Sequence, residues 1–483
     1  DRSAVGRSRS EKWRHHVATS VQAMTMAGEL RAIPAAVIDD LRAVLRGALL
    51  QAGDPGYDEA RLVWNGMIDR HPALIAQCAG TADVSRAIQF ARSYDLLIAV
   101  RGGGHSFPGH STCDGGLVID LSPMRRIEVD SQARRARAGG GVRWGELDRA
   151  TQEHGLAVTG GQVSHTGIAG LTLGGGMGWL MREHGLTVDN LLSADVVSAD
   201  GAQLRASAEE NPDLFWALRG GGGNFGIVTG FEYRLHPVGP MLYGGLIGYP
   251  LAEAVRIFRD AADYLATAPE ALSATLALLH SPEGHPLAGV VACYTGDPAS
   301  AEPVVAPLRR LSTPIMEQLG PMPYVAVQQM IDQVAAPGLR YYMRSNLLDT
   351  LDEEMIGIAA EHFARCPSPQ SLVIFVQMGG TIARVAPEAT AFPHRWAAYS
   401  FTTLAIWEDP KADEENIAWV RALWGDLRPK LPNAVYVNEL TGDEGTARLR
   451  AAYGPAYERL AALKRRYDPA NVFRLNQNIA PPA

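Results

Sequence analysis

His105 closes the run Arg101-Gly-Gly-Gly-His-Ser106, which lies between an apolar stretch at 96–100 and a second strand-like stretch at 117–121. Three consecutive glycines supply amides that no side chain shields and accept positive φ, so the backbone can approach a phosphate or the edge of a flat ring closely. An imidazole beside such a turn is placed to touch that ligand. His105 is therefore the first candidate, with a hydrogen-bonded surface histidine as the plainer alternative. Two further clusters follow, at 174–178, interrupted by Met177, and at 220–226, interrupted by Asn224 and Phe225. Gly221, Gly223 and Gly226 satisfy G-x-G-x-x-G, but a helix-like stretch (213–218) precedes them and a strand-like one (227–235) follows. The dinucleotide fingerprint needs the opposite order, because a helix N-terminus must face the phosphates; a Rossmann reading fails.

Short alternating segments at 191–197 and 203–206, bounded by turn signals, must position these clusters, and they imply an α+β domain over roughly residues 50–238. After Pro237 longer amphipathic stretches (251–266, 303–311, 352–363) alternate with strand-like runs (272–279, 290–294, 371–377). This pattern predicts a sheet with helices on one side. Residues 446–466 carry apolar positions at helical spacing and predict one helix, followed by a tail rich in Pro and Asn.

Composition narrows the chemistry. The 483 residues are 47% apolar, enough for two cores, and the net charge is −8 with only four lysines (Lys12, Lys411, Lys430, Lys464). No lysine-rich patch can neutralise a row of phosphates, which argues against nucleic acid as a partner. Cys78, Cys113, Cys293 and Cys366 are far apart and form no C-x-x-C, so neither a metal site nor a disulfide framework is expected. No apolar run approaches the roughly 18 residues of a membrane span. A cytoplasmic protein is expected, with secretion left open. Residues 1–40, and the Arg-, Ser- and His-rich 1–23 in particular, read as an extension outside the fold, added or natural.

Four segments together resemble the berberine-bridge-enzyme-like branch of the vanillyl-alcohol oxidase superfamily of FAD-dependent oxidases. They are Val100-Arg-Gly-Gly-Gly-His-Ser106, Thr166-Gly-Ile-Ala-Gly-Leu-Thr-Leu-Gly-Gly-Gly-Met-Gly178, Leu214-Phe-Trp-Ala-Leu-Arg-Gly-Gly-Gly-Gly-Asn-Phe-Gly-Ile-Val228 and Tyr467-Asp-Pro-Ala-Asn-Val-Phe-Arg-Leu-Asn-Gln-Asn-Ile479. Their order and spacing make the resemblance specific, and it extends over nearly everything after residue 55. It implies an α+β fold: a two-lobed FAD-binding domain of the vanillyl-alcohol oxidase type, with an α+β substrate-cap domain whose antiparallel sheet carries helices on one side. The expected division is an extension (1–40), the FAD-binding domain (41–238), the substrate domain (239–444) and a C-terminal return to the FAD domain (445–483).

By the same resemblance FAD is attached covalently through His105, which prevents its loss and makes it a stronger oxidant. Cofactor contacts fall to Arg101, Gly102, Gly103, Gly104, Ser106, Thr166, Gly167, Gly170, Gly174, Gly175, Gly178, Gly226, Ile227, Val228 and Asn476. Val163 stands where many relatives carry a second, cysteine link, so a single link is expected, as in hydroxynicotine oxidase. Cys113 is expected to be a structural thiol. Thr166 falls at the gatekeeper position for dioxygen, and Leu171 replaces a histidine that many relatives place near the flavin.

Oxidation by hydride removal needs a base for the O–H or N–H proton. Relatives often supply a tyrosine in a Tyr-x-Asn-Tyr segment; here Tyr436-Val-Asn-Glu439 offers Glu439 as the base, with Tyr436 and Asn438 lining the flavin. The alternative is a Glu439 turned outward onto an arginine. Tyr399, Thr402 and Thr403 on one strand and Tyr341, Tyr342 and Arg344 on another are further pocket candidates. The expected function is an oxidase that acts on an alcohol or amine carbon of a small organic molecule, a secondary metabolite or aromatic compound, with dioxygen as acceptor and hydrogen peroxide as product. The alternatives are a carbohydrate oxidase, a dehydrogenase with another acceptor and a flavin-containing non-redox cyclase. The partners are then a small-molecule substrate and dioxygen, and a homodimer is allowed.

Overall fold

The strands Ile98–Arg101 and Leu117–Asp120 pair in parallel, as do Leu74–Gln77 and Leu117–Asp120, within a four-stranded sheet edged by Leu49–Leu50 in a computed structural model that describes residues 20–482. Leu117–Asp120 is buried along its whole length, as expected for a strand covered on both faces. Parallel strands cannot be joined by a tight turn, so residues 102–116 cross from one strand end to the other start as a long loop. That crossing carries the glycine triplet and His105 out of the sheet.

A second, five-stranded antiparallel sheet runs in the order Gln203–Ser207, Leu191–Val197, Ile227–Arg234, Arg135–Gly139, Ile127–Asp130. The third sheet has eight antiparallel strands, running from Met316–Glu317 and Gly320–Pro323 on Met241–Pro250 through Pro286–Tyr294, Leu272–His280, Leu372–Gln377 and Tyr399–Trp407 to Arg340–Leu348. The helices Ala254–Leu265, Glu353–Phe363 and Asp413–Leu427 cover one face, where Phe258, Phe363, Val420, Leu276, Phe375 and Phe401 share a core. Strand alternation sends Thr275, Ala277, Ile374, Val376, Leu404 and Ile406 to the opposite face, toward the first two sheets. The chain is thus α+β throughout.

Two expectations are corrected. Residues 20–40 are not an extension: Ser20–Met24 and Leu30–Pro34 form a hairpin, Ala35–Val44 a helix, and the fully buried Ala23 and Ile33 pack with Leu74 and Ile88. The expectation for residues 1–19 lies outside the described residues. The single helix at 446–466 is two helices, Gly445–Tyr453 and Tyr457–Tyr467. Gly454 takes φ 46° and Pro455 has no amide hydrogen to donate, so the hydrogen-bond ladder breaks between them.

The helix Trp144–Gln152 is tied to the segment at 324–328 through Asp148, whose buried carboxyl accepts from Tyr324 Oη (3.3 Å) and Gln328 Nε2 (3.1 Å). Burial outweighs those two donors and pushes this carboxyl up to about 7. The folded chain therefore holds a proton that the unfolded chain releases near pH 4. The stability this contributes is full below about pH 4 and is lost as pH rises to about 7, at about 1.4 kcal/mol per unit. Asp148→Asn is expected to flatten this dependence and to melt higher than the parent chain at pH 8. Thermal unfolding at pH 5 and pH 8 checks it; an equal loss between the two in both proteins would refute it.

Candidate active site

The glycine triplet meets the second signature backbone to backbone. A Cβ on Gly103 would lie 2.3 Å from the nitrogen of Gly167, and one on Gly167 would lie 2.4 Å from the nitrogen of Gly103, so neither position admits a side chain. Gly104 takes φ 73° and Gly226 φ 151°, conformations that glycine alone adopts without strain. These loops form one wall of a cavity of about 810 Å³, lined there by Gly102–Ser106, Thr166, Gly167, Gly170, Gly226, Ile227, Val228 and Asn476. This volume sits in the upper part of the roughly 300–1,000 Å³ range of ligand and cofactor pockets. Asn476 donates to the carbonyls of Gly223 (3.2 Å) and Phe473 (3.0 Å), while its buried Oδ1 has no partner. A glycine-rich wall of backbone amides, with an unpaired amide oxygen beside it, fits a long, flat cofactor that carries phosphates and donor groups.

Four of the expected cofactor residues do not line the cavity. The Arg101 guanidinium turns away to the carbonyl of Ala60 and to Asp120 (3.8 Å). Gly174, Gly175 and Gly178 make room for protein: a Cβ there would strike Asn438, Phe392 and the Gly160 carbonyl respectively. Their smallness lets the helix Ile168–Gly174 and the following turn press against the segment that carries Tyr436 and Asn438.

His105 faces the cavity and is held on two sides. Its ring stacks on Trp64 at 4.3 Å, Trp64 stacks in turn on Tyr341 at 3.7 Å, and Trp64 Nε1 donates to the Ala335 carbonyl at 2.7 Å. His105 Nε2 lies 2.9 Å from His165 Nδ1. Burial holds the His105 imidazole well below its ordinary range, and nearby His165 and Arg143 push the same way, so the ring is neutral. Neither Trp64 nor His165 was singled out in the sequence, although His165 immediately precedes Thr166 in the second signature. Val163 lines the cavity. Cys113 packs elsewhere, with Tyr57, Ile75 and Val118, and burial pushes its thiol up to about 12.

The opposite wall is the eight-stranded sheet. Its edge strand Arg340–Leu348 receives the chain at 432–434 through Leu347 N to Ala434 O (3.0 Å) and Asn346 Nδ2 to Pro432 O (2.7 Å). That docking delivers the short turn Val437–Glu439 to the cavity. Tyr436 Oη accepts from Gly176 N (2.9 Å) and Asn438 Nδ2 (2.8 Å), and Asn438 also donates to Leu171 O (3.2 Å). Burial raises the Tyr436 phenol well above its usual range.

Glu439 turns inward rather than out to an arginine. Ser345, Ser400 (3.4 Å) and Thr402 (3.3 Å) all place their hydroxyls on Oε2. Pairing of Ser345 with Thr402, and of Leu347 with Ser400, puts these hydroxyls on one sheet face. Oε2 is thereby anchored by three donors, and Glu439 lines the cavity. Burial raises the carboxyl to about 6, with the hydroxyls pulling it back toward the ionised form. Of the other strand candidates, Thr402 joins this anchor, whereas Tyr399 faces the helix-covered core and Thr403 Oγ1 is buried without a partner. Tyr341 lines the cavity, while Tyr342 and Arg344 turn to Asp443, 2.7 Å from each.

Around Glu439 the wall is aliphatic: Leu246, Ala277, Val291, Ile374, Leu404 and Ile406. No lysine or arginine lines the cavity among the described residues, and Glu439 is its only carboxylate.

Comparison with known proteins places residues 72–207 in the family described as FAD binding domain and residues 435–480 in the one described as berberine and berberine like. An FAD-linked oxidoreductase of Dictyostelium discoideum is 30% identical over 450 residues, covering 92% of this chain and 97% of that protein. (R)-6-hydroxynicotine oxidase of Paenarthrobacter nicotinovorans is 32% identical over 462 residues, covering 90% and 97%. Among solved structures, 6-hydroxy-D-nicotine oxidase from Arthrobacter nicotinovorans superposes with TM-score 0.84 at 29% identity, covering 91% of this chain and 98% of that one. BBE-like 1 of Physcomitrella patens gives TM-score 0.84 at 25% identity, covering 92% and 99%.

Proposed function

Because the chain belongs to the berberine-like family of FAD-linked oxidoreductases, we propose that it oxidises a carbon bearing a hydroxyl or amine group in an apolar small molecule, with dioxygen as the acceptor and hydrogen peroxide as the product. The observation that carries this reading is Glu439, a carboxylate anchored through one oxygen by three hydroxyls and lining the cavity beside aliphatic sheet residues. When bound along the glycine wall, FAD would supply the hydride acceptor, with dioxygen taking up the electrons. Glu439 Oε1 takes the O–H or N–H proton as the adjoining C–H bond breaks, so no cationic product is left in the apolar chamber. The Ser345, Ser400 and Thr402 hydroxyls hold the carboxylate in place for that transfer. Asn438, bonded to both Tyr436 and Leu171, fixes the backbone turn on which Glu439 rides. The single negative charge of the wall, with no lining cation to oppose it, favours an amine over an acid.

His105 is the proposed single point of covalent attachment, supported by its place on the glycine wall and by Val163 where a second, thiol link would be needed. The test is to mix the protein anaerobically with a panel of apolar amines, apolar alcohols and oligosaccharides, and then admit air. Bleaching of the yellow absorbance by an amine or alcohol, with rapid return of colour and peroxide in air, is the expected result. Bleaching without return in air would make the protein a dehydrogenase, and bleaching by sugars alone would overturn the substrate class.

A further inference from the structure

We infer that the sheet wall of the cavity is a tapering track, about 19 Å long, for an apolar tail that the substrate carries beyond its reacting carbon. This deepens the reading above and rests on it. The track follows from strand register. Leu246 pairs with Val291, Val291 with Thr275, Thr275 with Val376, and Val376 with Ser400, one of the hydroxyls that anchor Glu439. Side chains paired directly across antiparallel strands stand on the same face, so these residues form one row. From Ser400 to Leu246 the row crosses four strand intervals of about 4.8 Å each, which gives its length.

The wall is broad at the Glu439 end and narrow at the other. A second row, Ala277, Ile374 and Thr402, runs beside the first, two residues or about 7 Å away along the strands. It stops there, because the residues paired beyond Ala277 are Gly289 and Gly248, which carry no side chains. Leu279 and Leu246 close over Gly289, where an added Cβ would lie 2.5 Å and 3.1 Å from their methyl carbons. Leu372, Ile374 and Val376 line the cavity from one strand, and Thr275, Ala277 and Leu279 from the next. Among the described residues, Pro286–Tyr294 then contributes Val291 alone.

The row is apolar along its length beyond Ser400. Val376, Val291 and Leu246 offer methyl groups, and Thr275, its polar member, has its hydroxyl buried. At the narrow end Val291 packs with Met322 and Met330 against Trp179, and all four line the cavity. Thioether side chains adapt to a flexible guest more readily than branched ones do. The glycine wall across the cavity takes the cofactor in the reading above, which leaves the sheet side to the substrate. With the reacting carbon at Glu439, the rest of the molecule points along the row toward Val291. An unbranched alkyl chain fits a row one side chain wide.

The experiment titrates the purified protein with its FAD, in the absence of oxygen, with benzylamine, 4-butylbenzylamine and 4-octylbenzylamine. Kd is taken from the change in flavin absorbance or, where the flavin bleaches, from the concentration dependence of the bleaching rate. Each methylene buried on the track tightens binding about fourfold, so the octyl compound is expected to bind at least roughly 10²-fold more tightly than benzylamine. Val291→Phe, which keeps the face apolar but blocks the single row, is expected to lose most of that ratio. Val291→Ala leaves the row open and is expected to keep it; retained flavin shows that each variant has folded. A Kd that does not fall with tail length, or no response to any of the three compounds, would overturn the inference. An undiminished ratio in Val291→Phe would overturn it as well, because the tail would then lie elsewhere. Bleaching judges the oxidase reading separately: tail-dependent binding without bleaching by these amines or the matching alcohols would overturn the proposed oxidation and leave the track standing.

Discussion

Glu439→Gln is expected to purify with its full complement of FAD and to lose substrate-driven bleaching by roughly 10²–10⁴-fold, the usual worth of a positioned base. Glutamine keeps the length of the side chain and an oxygen for the Ser345, Ser400 and Thr402 hydroxyls, so the cavity should keep its shape. What it loses is the ability to accept a proton. The pH dependence supplies a second, independent reading. Glu439 acts only when ionised and its carboxyl sits at about 6, so the parental bleaching rate constant should rise with pH through about 6 and then level off. That limb should be missing in Glu439→Gln. Stopped-flow bleaching across pH 5–8 checks both statements; a variant with the parental rate and the parental limb would remove Glu439 from the chemistry. The same burial that tunes the group opposes folding once it ionises: its stabilising contribution is complete below about pH 4 and lost as pH rises through about 6.

Lys464→Met should produce the largest loss of stability of any exchange in the C-terminal segment. Lys464 and Asp468 are fully buried, 2.7 Å apart, and the ammonium also donates to the carbonyls of Asn224 and Phe473, each at 2.9 Å. The Asp468 carboxylate accepts from the amides of Val472 and Phe473. Removing the cation leaves a buried carboxylate without its counter-charge, which costs about 3–5 kcal/mol. Urea unfolding should show a lower midpoint with an unchanged slope, and Lys464→Met with Asp468→Asn should recover most of the loss. FAD retention should weaken in the single variant, because Asn224 belongs to the loop whose Gly222, Gly223 and Gly226 line the cavity. An unchanged midpoint would mean that the pair contributes nothing.

The glycine wall was readable in the sequence because the demand it meets, a backbone without side chains, is written in residue type alone. The same letter misled at Gly174, Gly175 and Gly178. A glycine signals that a Cβ is unwelcome but not whether a ligand or a neighbouring segment takes its place, and there the neighbours are Asn438, Phe392 and Gly160. Glu439 could be named from its segment, but not its anchor: Ser345 and Ser400 are ordinary strand serines until strand pairing sets them on one face beside it. His165 carried no signal beyond its type and its place just before Thr166, since its contact lies 60 residues away. The parallel course of Ile98–Arg101 and Leu117–Asp120 was hidden for a similar reason, because a short apolar run reads the same whichever way its partner points. The hairpin at 20–34 was overlooked because its buried contribution is confined to single residues such as Ala23 and Ile33 among exposed ones.

The returning C-terminal tail has a consequence for the order in which the molecule can be made. Val472 and Phe473 fill the core built around Ile33, Leu74, Ile88 and Ile119, and Asn224 is braced by Gln477 and Ile479. The first half of the chain therefore leaves the ribosome with a gap in its interior that residues 472–479 close, after the whole eight-stranded sheet has been translated. During that interval the early strands must be shielded from aggregation. Cofactor loading is therefore expected to wait on residues 472–479 rather than on emergence of the glycine loops alone.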